Sequence, residues 1–308
     1  MSNVMIRALD PLSLKKIADA ELNAKIDGIP SLADQVLKKI SHNGAYFIVR
    51  SRVPMGVISE TNEMGTFEKD KFSPAYNKTY HIKKYGMAAQ ISEEMLDDNK
   101  SDFNYASEIG KAFKEGAAYF HDLAAADLFN YAVTDSAAYH GLDAKPLLST
   151  THDASYYSQS NRLAVDADIS ESTIESLRHL ASSLTDMRGK RGILMMDTLI
   201  SHVDNREEID RILGSSLRPA TSDNDKNVNR SIGDIKRIIT SPHLTDTDAT
   251  YIMTNHNDDH GLFRVDLRPL RIRVIPDELT ESFIYICSER SLTAWGNWRC
   301  MLGTVGAA

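Results

Sequence analysis

Apolar residues recur at helical spacing in three clear places along the chain. Residues 11–40 read as a polar amphipathic arm: Pro11 opens it, Leu14, Ile17 and Ala18 share a face, and Gly28-Ile29-Pro30 interrupts it before Leu32, Val36, Leu37 and Ile40 resume. The longest stripe, Ile109, Phe113, Ala117, Phe120, Ala124, Leu128 and Tyr131, predicts a helix over about 104–133 with Asp102 as its N-cap. About 30 residues at ~1.5 Å each make a rod roughly 45 Å long, and its small residues (Gly110, Gly116, Ala117, Ala118, Ala124 to Ala126) leave room for other backbone to lie close against it. A third helix is predicted from Ser170 to Asp186, started by Ser170, Glu171 and Thr173 and stopped by Arg188-Gly189, and Asp197 to Leu213 also reads as helical.

Strand character appears at Tyr46 to Val49, Tyr80 to Ser92, Ile193 to Met196, Ile235 to Ile239, Thr250 to Thr254, Leu270 to Ile275, Phe283 to Ser288 and Trp298 to Leu302. Helices and strands alternate without a βαβ period and without repeats, so the class is α+β. Between the first two strands, residues 54–79 hold Pro, Gly, Asn, Lys, Thr and Glu with scattered aromatics and no periodicity. Connections of that length are uncommon in compact domains and are usually functional or ordered by a partner. Residues Ser215 to Ser231 read as a polar surface loop.

Composition adds limits. With 308 residues, 42% hydrophobic and 25% charged, the chain can bury a sizeable core unaided. Its two cysteines, Cys287 and Cys300, suit a reducing compartment better than a secreted disulfide framework. The first ten residues lack the pattern of a signal peptide, and no run approaches about 18 apolar residues, so no membrane association is expected. The net charge of -8, with no Lys/Arg-rich run, leans against a nucleic-acid-binding protein without excluding one that surrounds DNA.

The chain offers little chemistry. G-x-G-x-x-G, G-x-x-x-x-G-K-[ST], G-x-S-x-G and H-E-x-x-H are all absent. His256 and His260 are spaced i, i+4, but Asn255, Asn257, Asp258, Asp259 and Gly261 make their segment a turn, which removes the alignment two metal ligands would need. Asp223-Asn224-Asp225 and Asp246-Thr247-Asp248 lack the glycine and distal acid of a calcium loop. His121 and Asp122, adjacent on the long helix, point about 100° apart and cannot pair with each other. Neither a catalytic site nor a metal or cofactor is expected.

The segment Gly141-Leu142-Asp143-Ala144-Lys145-Pro146-Leu147-Leu148-Ser149-Thr150-Thr151-His152, continuing to Ser158-Gln159-Ser160-Asn161-Arg162-Leu163, resembles the stretch that follows the spine helix in tailed-phage major capsid proteins, including relatives of the Mu-type head subunit. Arg218 to Val228, Leu244 to Tyr251 and the ending Arg290 to Arg299 resemble further segments of that family, in the same order, over about residues 135–303. The resemblance implies the Hong Kong 97-like capsid fold. It would place an N-terminal arm at 1–45, an extended loop hairpin (E-loop) at 46–92, and a peripheral domain at 93–189 with its spine helix at 104–133. An axial domain would follow at 190–280, with C-terminal strands at 281–308 returning to the peripheral domain. It also implies a shell protein that forms hexamers and pentamers of an icosahedral capsid around double-stranded DNA, which it encloses without specific binding. The partners implied are a separate scaffolding protein, a portal and a decoration protein; the shell would be assembled in the host bacterial cytoplasm and found in the virion. The E-loop residues Phe67, Lys69, Lys71, Phe72 and Tyr76 are the expected inter-subunit contacts. An encapsulin-like shell of a cellular compartment shares the fold and is the alternative; the segment at 141–163 favours the virion.

Overall fold

The computed structural model describes residues 11–23, 31–71, 74–98, 105–154, 157–192, 194–217, 225–258 and 260–306. The arm begins as a helix, α1 (Pro11–Asn23), and after Ser31 makes only one further turn, α2 (Leu32–Val36). Helix was expected to continue through Ile40. Instead Leu37 turns extended, and β1 (Lys38–Ser41) joins the edge of a sheet, whose pairing outweighs the local helical spacing. Strands β2 (Tyr46–Arg52), β3 (Pro74–His81) and β4 (Lys83–Ser92) follow, then a short α3 (Glu93–Asp98) and the long α4 (Tyr105–Asn130). After the small hairpin β5 (His152–Ala154) and β6 (Tyr157–Gln159) come α5 (Glu171–Ser183), β7 (Met196–His202), α6 (Arg206–Gly214), α7 (Val228–Ile232), β8 (Arg237–Ser241) and β9 (Thr250–Thr254). Two long strands, β10 (Leu262–Asp277) and β11 (Ser282–Trp295), and a last short one, β12 (Met301–Thr304), complete the chain.

The chain divides into two compact units. The first comprises residues 1–47, 81–124 and 264–293 and contains a four-stranded sheet in the order β1-β10-β11-β4. Its core joins Leu14 and Ala18 of α1, Ala106 and Phe113 of α4, Ile91 of β4, Ile272 of β10, and Phe283, Tyr285 and Cys287 of β11. The expectation that small residues on the long helix admit other backbone holds at Gly110: a Cβ there would lie 2.7 Å from the carbonyl oxygen of Ala18. His121 and Asp122 take separate partners, as their angular offset requires. Asp122 accepts from the Ser31 hydroxyl at 2.5 Å and from the Ala33 amide at 3.0 Å, tying α2 to α4. The His121 Nε2 lies 3.1 Å from Glu289. Burial raises the Glu289 pKa, but the bonds from His121 and Ser291 and the nearby charge of Arg264 outweigh it and hold the carboxyl below its usual range.

The second unit comprises residues 48–80, 125–263 and 294–308, with a sheet in the order β12-β9-β7-β8. β7 and β8 are parallel, with Leu199 opposite Ile238 and Ile200 opposite Ile239, and the crossover between them carries α6 and α7. The sequence pattern made 197–213 a helix. The run Thr198-Leu199-Ile200-Ser201 is instead a strand buried on both faces, and the helix starts only at Arg206. Ile174 and Leu177 of α5 and Ile209 and Ile212 of α6 complete this core.

The segments from the expected layout are redistributed. β2 pairs with β3, whereas β4 pairs with β11, so the hairpin ends near His81 rather than Ser92. The C-terminal stretch also splits: β11 lies in the first sheet, while β12 pairs with β9 in the second, Met301 opposite Met253.

Candidate inter-subunit site

The described part of the connection between β2 and β3, residues 53–71, has no helix or strand, and its two ends are held by charge. The Asp70 carboxylate receives both terminal nitrogens of Arg188, at 2.7 and 2.8 Å, and the Gly56 amide at 2.5 Å. Lys190 donates to the Met55 carbonyl beside it. A Cβ on Gly56 would sit 3.0 Å from the Arg188 guanidinium, so a glycine here lets the backbone come close to the ion pair. The Arg188 fork first, and then the Gly56 amide, hold the Asp70 carboxyl down at about 2.

The sign of the pH dependence follows. A depressed folded pKa gives a contribution that is complete above the ordinary carboxylate value and is lost as pH falls towards about 2. The Gly56 amide resonance should therefore keep its bonded position through the pH range in which ordinary carboxylates titrate and move only near pH 2. Arg188→Ala should abolish that behaviour and raise the rate of tryptic cleavage at Lys69 and Lys71 several-fold. An amide that shifts with an ordinary carboxylate midpoint in the unsubstituted protein would show that this contact does not form.

Between these anchors the chain turns its apolar side chains outward. Val57 is 82% exposed, Ile58 97%, Met64 102% and Phe67 81%. Four large apolar groups on one short segment cannot be stabilised within the subunit; such surfaces mark interaction sites. Of the residues singled out from sequence, Phe67, Lys69 and Lys71 are exposed on this segment and Tyr76 is half-buried on β3. Phe72 lies outside the described residues. Asp70, Arg188, Val57, Ile58 and Met64 were not anticipated. Val57 and Ile58 carried a signal, two apolar residues in a polar stretch with no periodic partner.

Tyr139, His140 and Trp295 support the hairpin's β3 side. Tyr80 donates to the Trp295 carbonyl, Lys78 donates to the His140 carbonyl, and the Trp295 indole donates to Tyr139 at 3.1 Å. Burial first, and then the charge of Asp143, push the Tyr80 phenol above its usual range. Gly141 has no alternative, because a Cβ there would lie 2.1 Å from the Trp295 ring.

Deeper in, Asp143, His152 and Asn161 come together. His152 Nδ1 lies 2.6 Å from the Asp143 carboxylate and Nε2 lies 3.1 Å from Asn161 Oδ1. The Asn161 amide nitrogen faces the carbonyls of Leu147, Trp298 and Met301 at 2.7, 3.2 and 3.0 Å, which fixes the orientation of its side chain. Both ring nitrogens of His152 thus face oxygen acceptors. The ring stacks on Trp298, centroids 4.4 Å apart at 4°, and the Arg299 guanidinium lies 4.3 Å from the Trp298 ring. Burial pulls the Arg299 pKa down to about 10, partly offset by Asp186 and Asp143. His152 is fully buried with both nitrogens engaged, so the arrangement is a structural knot with no free base to offer. His256 falls in a 3-10 turn, Asn255–Asp258, so its i, i+4 spacing to His260 does not lie along an α-helix. Asp223 and Asn224 of the other turn considered for metal lie outside the described residues, as do Arg218 to Ser222.

A family model described as phage capsid protein matches residues 76–302. No curated protein matches. Among solved structures, the capsid of a native GTA particle superposes with a TM-score of 0.58 at 12% identity, covering 93% of this chain and 94% of that one. The capsid of the cyanophage P-SCSP1u gives a TM-score of 0.57 at 10% identity, covering 92% and 91%. A virus-like particle from Pyrococcus furiosus gives 0.50 at 12% identity, covering 95% and 98%. These likenesses establish the fold as the Hong Kong 97-like capsid fold, and the family match, which spans well over half of the sequence, goes further: the chain belongs to the phage capsid protein family.

Proposed function

We propose that this chain is the major head subunit of a tailed phage, assembling into hexamers and pentamers of an icosahedral shell that encloses double-stranded DNA without reading its sequence. The observation that carries the reading is the β2–β3 connection: anchored at Asp70 and Arg188, it presents Val57, Ile58, Met64 and Phe67 to solvent. Laid across a neighbouring copy, those side chains would be buried, with Lys69, Lys71, Phe72 and Tyr76 along the same contact. Obligate contacts of this kind run well above about 2,000 Å². The shell is assembled in the host cytoplasm with a separate scaffolding protein and is completed by a portal and a decoration protein.

The test replaces residues 57–67 with a short Gly-Ser link. The variant should keep its helical circular dichroism and lose the megadalton species seen by sedimentation when scaffold is supplied. Closed particles built by the variant would show that this segment is not the inter-subunit element. An unsubstituted protein that stays monomeric under every condition would remove the shell reading itself.

A further inference from the structure

In the first unit's sheet one face is core and the other collects cations. Ile91, Ile272, Phe283, Tyr285 and Cys287 all turn to the core, so residues one position away along each strand turn outward. On β10 these are Arg271 and Arg273, both exposed, and on β11 Arg290. Lys84 on β4 stands directly opposite Arg290 in the register. Arg268 has the core-side parity of Ile272, but its guanidinium reaches Ser288, which shares the outward parity of Arg290.

The other outward positions on β4 and β11 carry no carboxylate; on β10 the one outward acid is Asp277, at the strand's end, where it accepts from the Leu279 amide and the Thr280 hydroxyl. Among the described residues, none of the five cations is paired with an acid. The chain as a whole has 43 acidic and 35 basic residues, so five bases against one acid on one face are a departure from its average. Burial lowers the Arg268 pKa first, and the charges of Arg271, Arg290 and Arg273 lower it further, which places these groups within electrostatic reach of one another.

We propose that this outward face of β4, β10 and β11 binds the phosphate backbone of nucleic acid. Four of the five cations are arginines, whose planar forks bind phosphate oxygens in pairs. The centre of a protein interface would be depleted of charge and enriched in aromatics, and this face collects five cations, one acid and no aromatic ring. Interfaces with nucleic acid have the opposite character, polar and strongly cationic. Contacts to the backbone carry no sequence information, which suits a shell wall that must accept any stretch of its contents. The sequence hid this face because alternate strand positions form no Lys/Arg run. The identity of the polyanion rests on the reading of the chain as the wall of a DNA-containing shell.

The experiment measures retardation of a fluorescent 30-base-pair duplex of random sequence by unassembled full-length protein, across salt. Five phosphate contacts imply a slope of about -4.5 in log affinity against log salt, hence roughly 500-fold weakening between 50 and 200 mM. Arg271→Gln with Arg273→Gln should reduce the slope to about -2.7 with an unchanged melting temperature, because both side chains are exposed. No retardation at 50 mM salt overturns the proposal, and so does a slope that the double variant leaves unchanged. If the variant instead loses assembly while neither protein binds DNA, the face meets an acidic protein surface and the proposal fails. Sedimentation of the same preparations separates this failure from that of the shell reading: particles that form without any DNA binding leave the shell intact and remove only the phosphate site.

Discussion

Asn161→Leu should unfold the second unit at ordinary temperature. The substitution nearly preserves volume, so the effect isolates the hydrogen bonds. Asn161 is fully buried and serves five partners: the carbonyls of Leu147, Trp298 and Met301, the Ser149 amide and the His152 ring. A leucine strands four of them, since the Trp298 carbonyl still accepts from the Met301 amide, and each stranded buried group costs about 1–3 kcal/mol. Even the low end, about 4 kcal/mol, approaches the whole stability of a marginal domain, about 5 kcal/mol. The expected result is insoluble protein, or soluble protein without a cooperative melt. Asn161→Asp is the informative second variant, because it keeps the acceptor for Ser149 and His152 while turning oxygen towards three carbonyls. It should be about as damaging. A cooperative melt within about 1 kcal/mol of the parent in either variant would show that water or rearrangement satisfies these groups.

Much of the fold could be read from periodicity, and what could not was decided by distant pairing. The long helix was legible because its stripe repeats over seven turns, and Ser170 marked α5 correctly, its hydroxyl accepting from the Thr173 amide. Residues 197–202 were not, because a short apolar run is compatible with helix or strand until its neighbours β8 and β9 are known. The split of Trp298 to Leu302 into a 3-10 turn and β12 was hidden for the same reason: Asn297 caps the turn locally, while β12 exists only through β9. The segment at 141–163 was recognisable by resemblance, yet its physical meaning required Trp295 and Trp298, more than 130 residues away. At the site, Phe67, Lys69 and Lys71 were readable as exposed residues of a loop without a core. The Asp70–Arg188 pair was not, since nothing in a sequence announces an ion pair spanning 118 residues.

The second large effect is expected at the middle of α4. Ala117→Pro removes the backbone N–H that bonds to residue 113 and drives the proline ring into that carbonyl, which costs about 3 kcal/mol or more. The position makes the consequence larger than a surface kink. Ala106 and Phe113 lie in the core on the N-terminal side, and His121 and Asp122, which hold Glu289 and the Ser31 turn, lie on the other. A bend between them cannot satisfy both sets at once. Around Ala117 the helix and sheet also leave a half-open groove of about 200 Å³ lined by Tyr85, Met87, Phe113, Phe120, Leu270 and Cys287, so little packing is available there to resist the distortion. Ala117→Ser is the control, as it keeps the N–H and changes helix propensity by only about 0.5 kcal/mol. Thermal melts should separate the two clearly, with the proline variant lower by well over 5 °C or not folded, and the serine variant close to the parent. The proline variant should also fail to form shells. If it melts and assembles like the serine variant, residues 105–130 do not act as one continuous rod.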